Sequence, residues 1–126
     1  MCEGEEMTEQ RNILKNAFYE DALEFWKDTP FFYDFNRNYW LWDKTKFCYQ
    51  LSDEVNILNQ LDNFLHLNGN PYYKAHRQDY IYALQHAGRL KEPKEPDKNW
   101  VQFGSEVYDI TTGNEFQVDP KFFFVN

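Results

Sequence analysis

A chain of 126 residues, 42% hydrophobic and 27% charged, makes one domain with room for its own core. The formal net charge of −8 argues against the general electrostatic attraction behind most nucleic-acid binding. No apolar run approaches the ~18 residues of a membrane span, and no signal-peptide pattern opens the chain.

The negative charge is uneven. Residues 1–65 hold 13 acids and 6 bases, so any DNA-facing patch is expected in the second half. Cys2 and Cys48 lie far apart and belong to no metal-binding spacing, and a reduced, cytoplasmic setting is expected.

Residues 1–7 contain Glu3, Glu5 and Glu6 and read as a frayed acidic tail. Thr8 is placed to cap a helix running to about Asp28. Leu14, Phe18, Ala22 and Phe25 recur at helical spacing, and Ile13, Ala17 and Trp26 widen the stripe. Pro30 closes the helix, since it cannot sit inside one and biases Thr29 away from helical backbone.

Phe31 to Leu51 is an aromatic block that reads as a three-stranded meander: Phe31–Phe35, Tyr39–Asp43 and Phe47–Leu51. Pairing Phe35 with Tyr39 and Trp42 with Phe47 gives two apolar faces. One shows Phe32, Trp40, Trp42, Phe47, Tyr49 and Leu51, and the other shows Tyr33, Phe35, Tyr39, Leu41 and Cys48. Such a sheet must bury both faces or leave one for a partner. Trp40, Trp42 and Tyr49 are therefore candidates for an interface or for base stacking, because flat aromatics accept any base.

Ser52 is expected to cap a second helix, with Asp53 and Glu54 in its first turn where the helix dipole favours acids. Val55, Leu58, Leu61 and Leu65 line one side, and Asn68-Gly69 ends it. Pro71 suits the first position of a third helix, whose buried side is Tyr73, Tyr80, Leu84 and Ala87 and whose stop is Gly88. Residues 91–99 read as a solvated connector of alternating charge with two prolines.

From Trp100 the chain reads as short strands cut by a Gly-Ser turn and a Thr-Gly-Asn turn, a C-terminal β-hairpin. Putting Tyr108, Ile110, Phe116 and Val118 on one face requires Ile110 opposite Phe116, across an odd-length loop or a bulge. Gly113 or Asn114 supplies the positive φ, and Asp109 is expected to order the turn. The apolar end Phe122–Val125 either marks a chain that continues or packs back onto the sheet.

The pattern Trp-x-Gln-Phe-x-x-x-x-Tyr-Asp-Ile-x-Thr-Gly-x-x-Phe, followed by Asp-Pro-x-Phe-Phe, resembles the end of the N-terminal accessory domain of virus- and plasmid-encoded primase–helicases, the poxvirus-type proteins and their archaeal relatives. The Trp-x-Trp strand at Trp40–Trp42 and the run from Asp53 through Gly88-Arg89-Leu90 to Pro93 are similar to the same family, so the resemblance covers about residues 20–126. It implies an accessory domain in DNA replication that precedes a superfamily-3 helicase. There it acts as a collar or adaptor for DNA, the helicase domain or neighbouring subunits. The chain itself contains neither the ATPase nor the primase module.

The residues offer no catalytic centre. There is no phosphate-cradling Gly-rich loop, no Cys-x-x-Cys and no His-Glu-x-x-His. His66, His76 and His86 lack ligand spacing, and the acid-x-acid triplets Glu3-Gly4-Glu5 and Glu95-Pro96-Asp97 fall in a tail and a Pro-rich linker. No metal or cofactor is expected.

The predicted class is therefore α+β: about three helices, an aromatic meander and a C-terminal hairpin in one domain. The order of elements is that of a winged-helix domain. In that arrangement the third helix would carry the DNA contacts Lys74, Arg77 and Gln78, joined by Arg89. Two rivals to the accessory domain stand beside it: a free-standing winged-helix DNA-binding regulator, and a small acidic protein that binds another protein through its aromatic face.

Overall fold

The computed structural model describes residues 17–69 and 74–125. The expected acidic tail, the Thr8 cap with Ile13 and Leu14, and the Pro71 helix start with Tyr73 lie outside them. The class is α+β, with three helices and two separate three-stranded antiparallel sheets.

Helix α1 is described over 17–28. Phe18, Ala22 and Phe25 are buried on one side, as their spacing requires, and Thr29 N–H closes the last turn on Phe25 O at 2.7 Å ahead of Pro30. The meander follows as β1 (Phe31–Tyr33), β2 (Tyr39–Asp43) and β3 (Cys48–Ser52), in the order β1-β2-β3. Its registers differ from the expected ones by two residues. Tyr33 faces Tyr39, and Trp42 faces Tyr49. A slip of two keeps Phe32, Trp42 and Tyr49 on one face and Tyr33, Tyr39 and Leu41 on the other, because the side-chain period of a strand is two. Cys48, expected with Tyr33, joins the second core at the start of its strand instead.

The slip has a local cause at each turn. Asp34 accepts a hydrogen bond from Asn38 N–H at 2.8 Å and its own N–H reaches Asn38 O, which closes the first turn early. Phe35 falls in that turn and is 95% exposed, where a strand position was expected. In the second turn, Asp43 Oδ1 accepts from the amides of Thr45 and Lys46, and Phe47 N–H bonds Asp43 O. Phe47 takes φ +55 and leaves the strand. That left-handed backbone costs a non-glycine residue roughly 1–2 kcal/mol, offset here by Gln102 donating to Phe47 O and by the ring packing inward.

Helix α2 spans Glu54–Leu67, buries Ile57, Leu58, Leu61 and Leu65, and leaves Val55 exposed. Its N-cap is Asp53, whose carboxylate accepts from Asn56 N–H at 2.7 Å. The expected cap, Ser52, ends β3 instead and accepts from the Asn56 side chain. A carboxylate satisfies the first-turn amide as well as a hydroxyl does and adds the dipole term.

A short 3-10 turn, Lys74–His76, leads into α3 (Arg77–Leu90). Tyr80, Ile81, Ala83, Leu84, Ala87 and Gly88 form its buried side. Gly88 is not a stop. It sits inside the helix against β1, where an added Cβ would lie 2.8 Å from Tyr33 N and 2.9 Å from Tyr33 Cβ.

The second sheet is β4 (Trp100–Phe103), β5 (Glu106–Asp109) and β6 (Glu115–Gln117). Val107 faces Phe116 and Tyr108 faces Glu115, so the expected Ile110–Phe116 register is wrong by an odd number and the faces are exchanged. The loop explains it. Asp109 Oδ1 accepts from Thr111 and Thr112 amides, Asp109 N–H bonds Asn114 O, and Gly113 has φ +76, so the ladder closes at Asp109. Ile110 continues toward β4 through Ile110 N–H to Asn99 O, and is exposed.

The layers follow from two cores. In the first, α1, α2 and α3 pack on Phe31, Tyr33, Tyr39 and Leu41 of the meander. In the second, Phe32, Trp42, Cys48 and Tyr49 from the other side of the meander meet Val107 and Phe124. Both faces of the aromatic sheet are thus covered inside the molecule. The terminal aromatics pack back: Phe124 is buried, and Tyr49 N–H donates to its carbonyl at 2.7 Å. Nor is 91–99 simply a solvated connector. Lys94 bridges Phe122, with Lys94 N–H to Lys121 O and Phe123 N–H to Lys94 O, both 2.8 Å.

A winged helix would extend the strand between its first helices with the C-terminal hairpin. Here that strand pairs with its own meander, and the C-terminal strands form a sheet of their own.

Candidate docking surface

The residues expected to face DNA do not form one patch. The Lys74 backbone lies in the 3-10 turn. Arg77 reaches back to α2 and pairs with Glu54 at 3.4 Å. Gln78 is exposed. Arg89 lies over the Tyr33 ring, 5.1 Å from its centroid. Arg77 and Arg89 are twelve residues apart, about 120° around an ideal helix, so they point to different neighbours. Gln85 donates to the Tyr39 hydroxyl at 3.2 Å. On this helix the apolar stripe is docked on β1, and two of its cations are engaged by groups of the protein itself.

The three candidate stacking aromatics divide. Tyr49 is 1% exposed and Trp42 is 8% exposed, with their rings edge to face at 5.0 Å between the two sheets. The Tyr49 hydroxyl donates to Pro120 O, and burial, with a smaller contribution from Asp119, raises its pKa well above the ordinary tyrosine value. Neither ring has a face to offer a base, because the second sheet occupies that side. Trp40 alone stays partly open. Its ring lies parallel to Phe32 at 6.0 Å and edge-on to Phe123 at 5.0 Å, and its Nε1–H donates to Asp34 Oδ2 at 2.9 Å. Partial burial pushes the Asp34 carboxyl up. Hydrogen bonds from the Trp40 indole and the Asn38 and Asn36 amides outweigh it and hold the pKa below the ordinary aspartate value.

The surface that the sequence reading missed is the outer side of the second sheet. Strand register puts Val101 opposite Tyr108, Phe103 opposite Glu106, and Tyr108 opposite Glu115, all on one face. Phe103 is 68% exposed and Ile110 60%, with Val101 and Tyr108 also open. The inner face of the same sheet carries Trp100, Val107 and Phe116 in the second core. The signal was present in the alternation of Val101 and Phe103 with Trp100 and Gln102, which separates the two faces without any knowledge of the loop.

The surface concavities lie away from this face. A groove of about 500 Å³ runs between the end of α1, β3 and α2, lined mainly by hydrogen-bonding side chains including Gln50, Asn56 and Gln60. A smaller hollow of about 150 Å³ lies beside Trp40. Among the described residues no group of three or more His, Cys, Asp or Glu is arranged to hold a metal ion, and no helix is long and apolar enough to cross a membrane. Compared with known proteins, the chain matches no protein-family model, no curated protein and no solved structure.

Proposed function

We propose that the chain is a non-catalytic adaptor domain of a DNA-replication assembly of the primase–helicase type. Its outer sheet face docks on the superfamily-3 helicase domain. The observation that carries the reading is the exposed set Val101, Phe103 and Tyr108 on a sheet whose other side is already filled by core, with Ile110 exposed just beyond the end of β5. Contiguous open apolar side chains on one face mark a protein contact. Glu106 and Glu115 flank them, and the chain carries −8 overall. The facing surface is therefore expected to hold Lys or Arg among its apolar side chains. The ordered similarity from Trp100 to Phe123, with the Trp40–Trp42 strand, supports the choice of assembly.

A DNA-facing third helix has less support. Glu54 and Tyr33 engage Arg77 and Arg89, and the net charge opposes a phosphate backbone.

The test is titration of this chain with the superfamily-3 helicase domain encoded in the same genome. Micromolar binding is expected. The pair Phe103→Asp and Tyr108→Asp should abolish it while the melting temperature stays within about 3 °C, because both side chains are surface residues. Binding that ignores the two substitutions, or no binding, would sink the proposal.

A further inference from the structure

The hollow beside Trp40 combines aromatic and acidic lining residues. Its walls are the rings of Phe32, Trp40 and Phe123. Phe123 stands edge-on to both others, 5.1 Å from Phe32 and 5.0 Å from Trp40, so the three rings form a corner and not a flat stack. Its rim carries the carboxylates of Asp34, Glu92 and Glu95. Among the described residues, Glu92 and Glu95 make no hydrogen bond or ion pair, and both are exposed.

We propose that this hollow is a binding site for the cationic head group of a lysine or arginine side chain presented by a protein partner. Aromatic faces attract a cation through the ring quadrupole, and carboxylates at the rim add direct charge. The size fits a head group and little more. About 150 Å³ is below the roughly 300–1,000 Å³ of a small-molecule pocket. The position is fixed by the fold. The Trp40 indole is held by Asp34, and Phe123 is held by its amide on Lys94 O. Glu92 and Glu95 flank Lys94, so the same bridge that ties down the C-terminal segment sets the rim.

The molecule already uses this contact internally. Lys91 Nζ lies 4.5 Å from the Trp26 ring centroid, which also turns that lysine away from the hollow, and Arg89 covers Tyr33. A phosphate-bearing strand would meet three carboxylates here, so nucleic acid is disfavoured.

The inference deepens the adaptor reading by naming a chemistry of the partner, but its test needs no helicase. Trp40 Nε1–H is an isolated reporter on the wall of the hollow. In ¹H–¹⁵N spectra of the intact chain, the acetylated, amidated tripeptides Gly-Lys-Gly and Gly-Arg-Gly should shift this resonance saturably at millimolar concentration or below. Gly-Gln-Gly should not. The double substitution Glu92→Gln/Glu95→Gln should weaken the effect roughly tenfold, since exposed charge pairs each supply a modest share, and leave the fold unchanged. Added salt at about 0.5 M should weaken it as well.

No saturable shift with either basic peptide overturns the proposal, as does a shift that persists undiminished in the double variant. Displacement by single-stranded DNA in place of the peptides would reassign the hollow to nucleic acid and also overturn it. Helicase docking with a silent hollow would leave the adaptor standing and remove only this site. Peptide binding without helicase docking would do the reverse.

Discussion

Replacing Gly88 with alanine is expected to destabilise the protein by about 3 kcal/mol. The direction is informative, because two effects oppose each other. In an exposed helix interior, glycine to alanine gains about 1 kcal/mol of propensity. At position 88 the new methyl group would sit 2.8 Å from Tyr33 N, 2.9 Å from Tyr33 Cβ and 3.3 Å from Phe32 C. Those atoms are strand backbone and a Cβ, not the far end of a flexible chain, so relief requires α3 to lift from β1. Lifting it opens the contact of Leu84 and Ala87 with the first core. Overpacking of this kind outweighs the propensity gain, and a fall in melting temperature of roughly 10 °C should follow. Thermal or urea unfolding measures it. If Gly88 were instead a helix stop free of the sheet, alanine would be neutral or stabilising.

The second large effect concerns the other side of the meander. Tyr49→Ala is expected to cost about 4 kcal/mol, the range of a fully buried aromatic. Tyr49 touches Phe32, Trp42 and Phe123, and its hydroxyl ties the meander to Pro120, seventy-one residues away. Tyr49→Phe removes only that hydrogen bond and should cost about 1 kcal/mol. The informative comparison is Phe31→Ala in the first core. If the two cores belong to one cooperative unit, both alanine variants lower a single unfolding transition by similar amounts. A Tyr49→Ala cost below about 1 kcal/mol beside a full cost at Phe31 would mean that the second sheet contributes little to holding the domain together.

Much of this was legible in the sequence. Phe18, Ala22 and Phe25 announced the inner side of α1, and Leu58, Leu61 and Leu65 that of α2, because helical spacing needs no partner to be read. The faces of the meander were also readable. Even with both registers displaced by two residues, Phe32, Trp42 and Tyr49 stayed together against Tyr33, Tyr39 and Leu41, since only an odd slip exchanges faces.

The errors arose where side chains set turn geometry. Asp34 and Asp109 capture backbone amides and close their turns early. In the first case the displacement was even and harmless. In the second it was odd, and it separated Tyr108 from Phe116, which were expected to share a face. That loop decides which side Tyr108 joins, although the alternation from Trp100 to Phe103 already separates the two faces of the sheet. Gly88 misled for another reason. A glycine near a helix end resembles a C-cap in sequence, and only the approach of β1 reveals its role.

The candidate functional residues fared less evenly than the fold. For Trp42 and Tyr49 the sequence supports core or interface, with base stacking as the alternative, and they are interior to the two-sheet core. Arg77 and Arg89 were chosen for residue type, which carries no information about the Glu54 and Tyr33 side chains that engage them. Trp40 was singled out as an aromatic. Its acidic rim at Glu92 and Glu95 comes from a segment fifty residues later, tied in by the Lys94–Phe122 bridge that no local pattern announces.

On the proposed reading, the domain docks on protein and does not grip DNA. Fluorescence-anisotropy titration of single-stranded, duplex and forked DNA at two salt concentrations tests it most directly, with the Lys74→Ala/Arg77→Ala variant alongside. The expected result is no saturable binding below about 100 µM at the lower salt, the weak limit of ordinary non-specific affinity. Micromolar, salt-dependent binding that is lost in the variant would contradict the account and return the third helix to DNA.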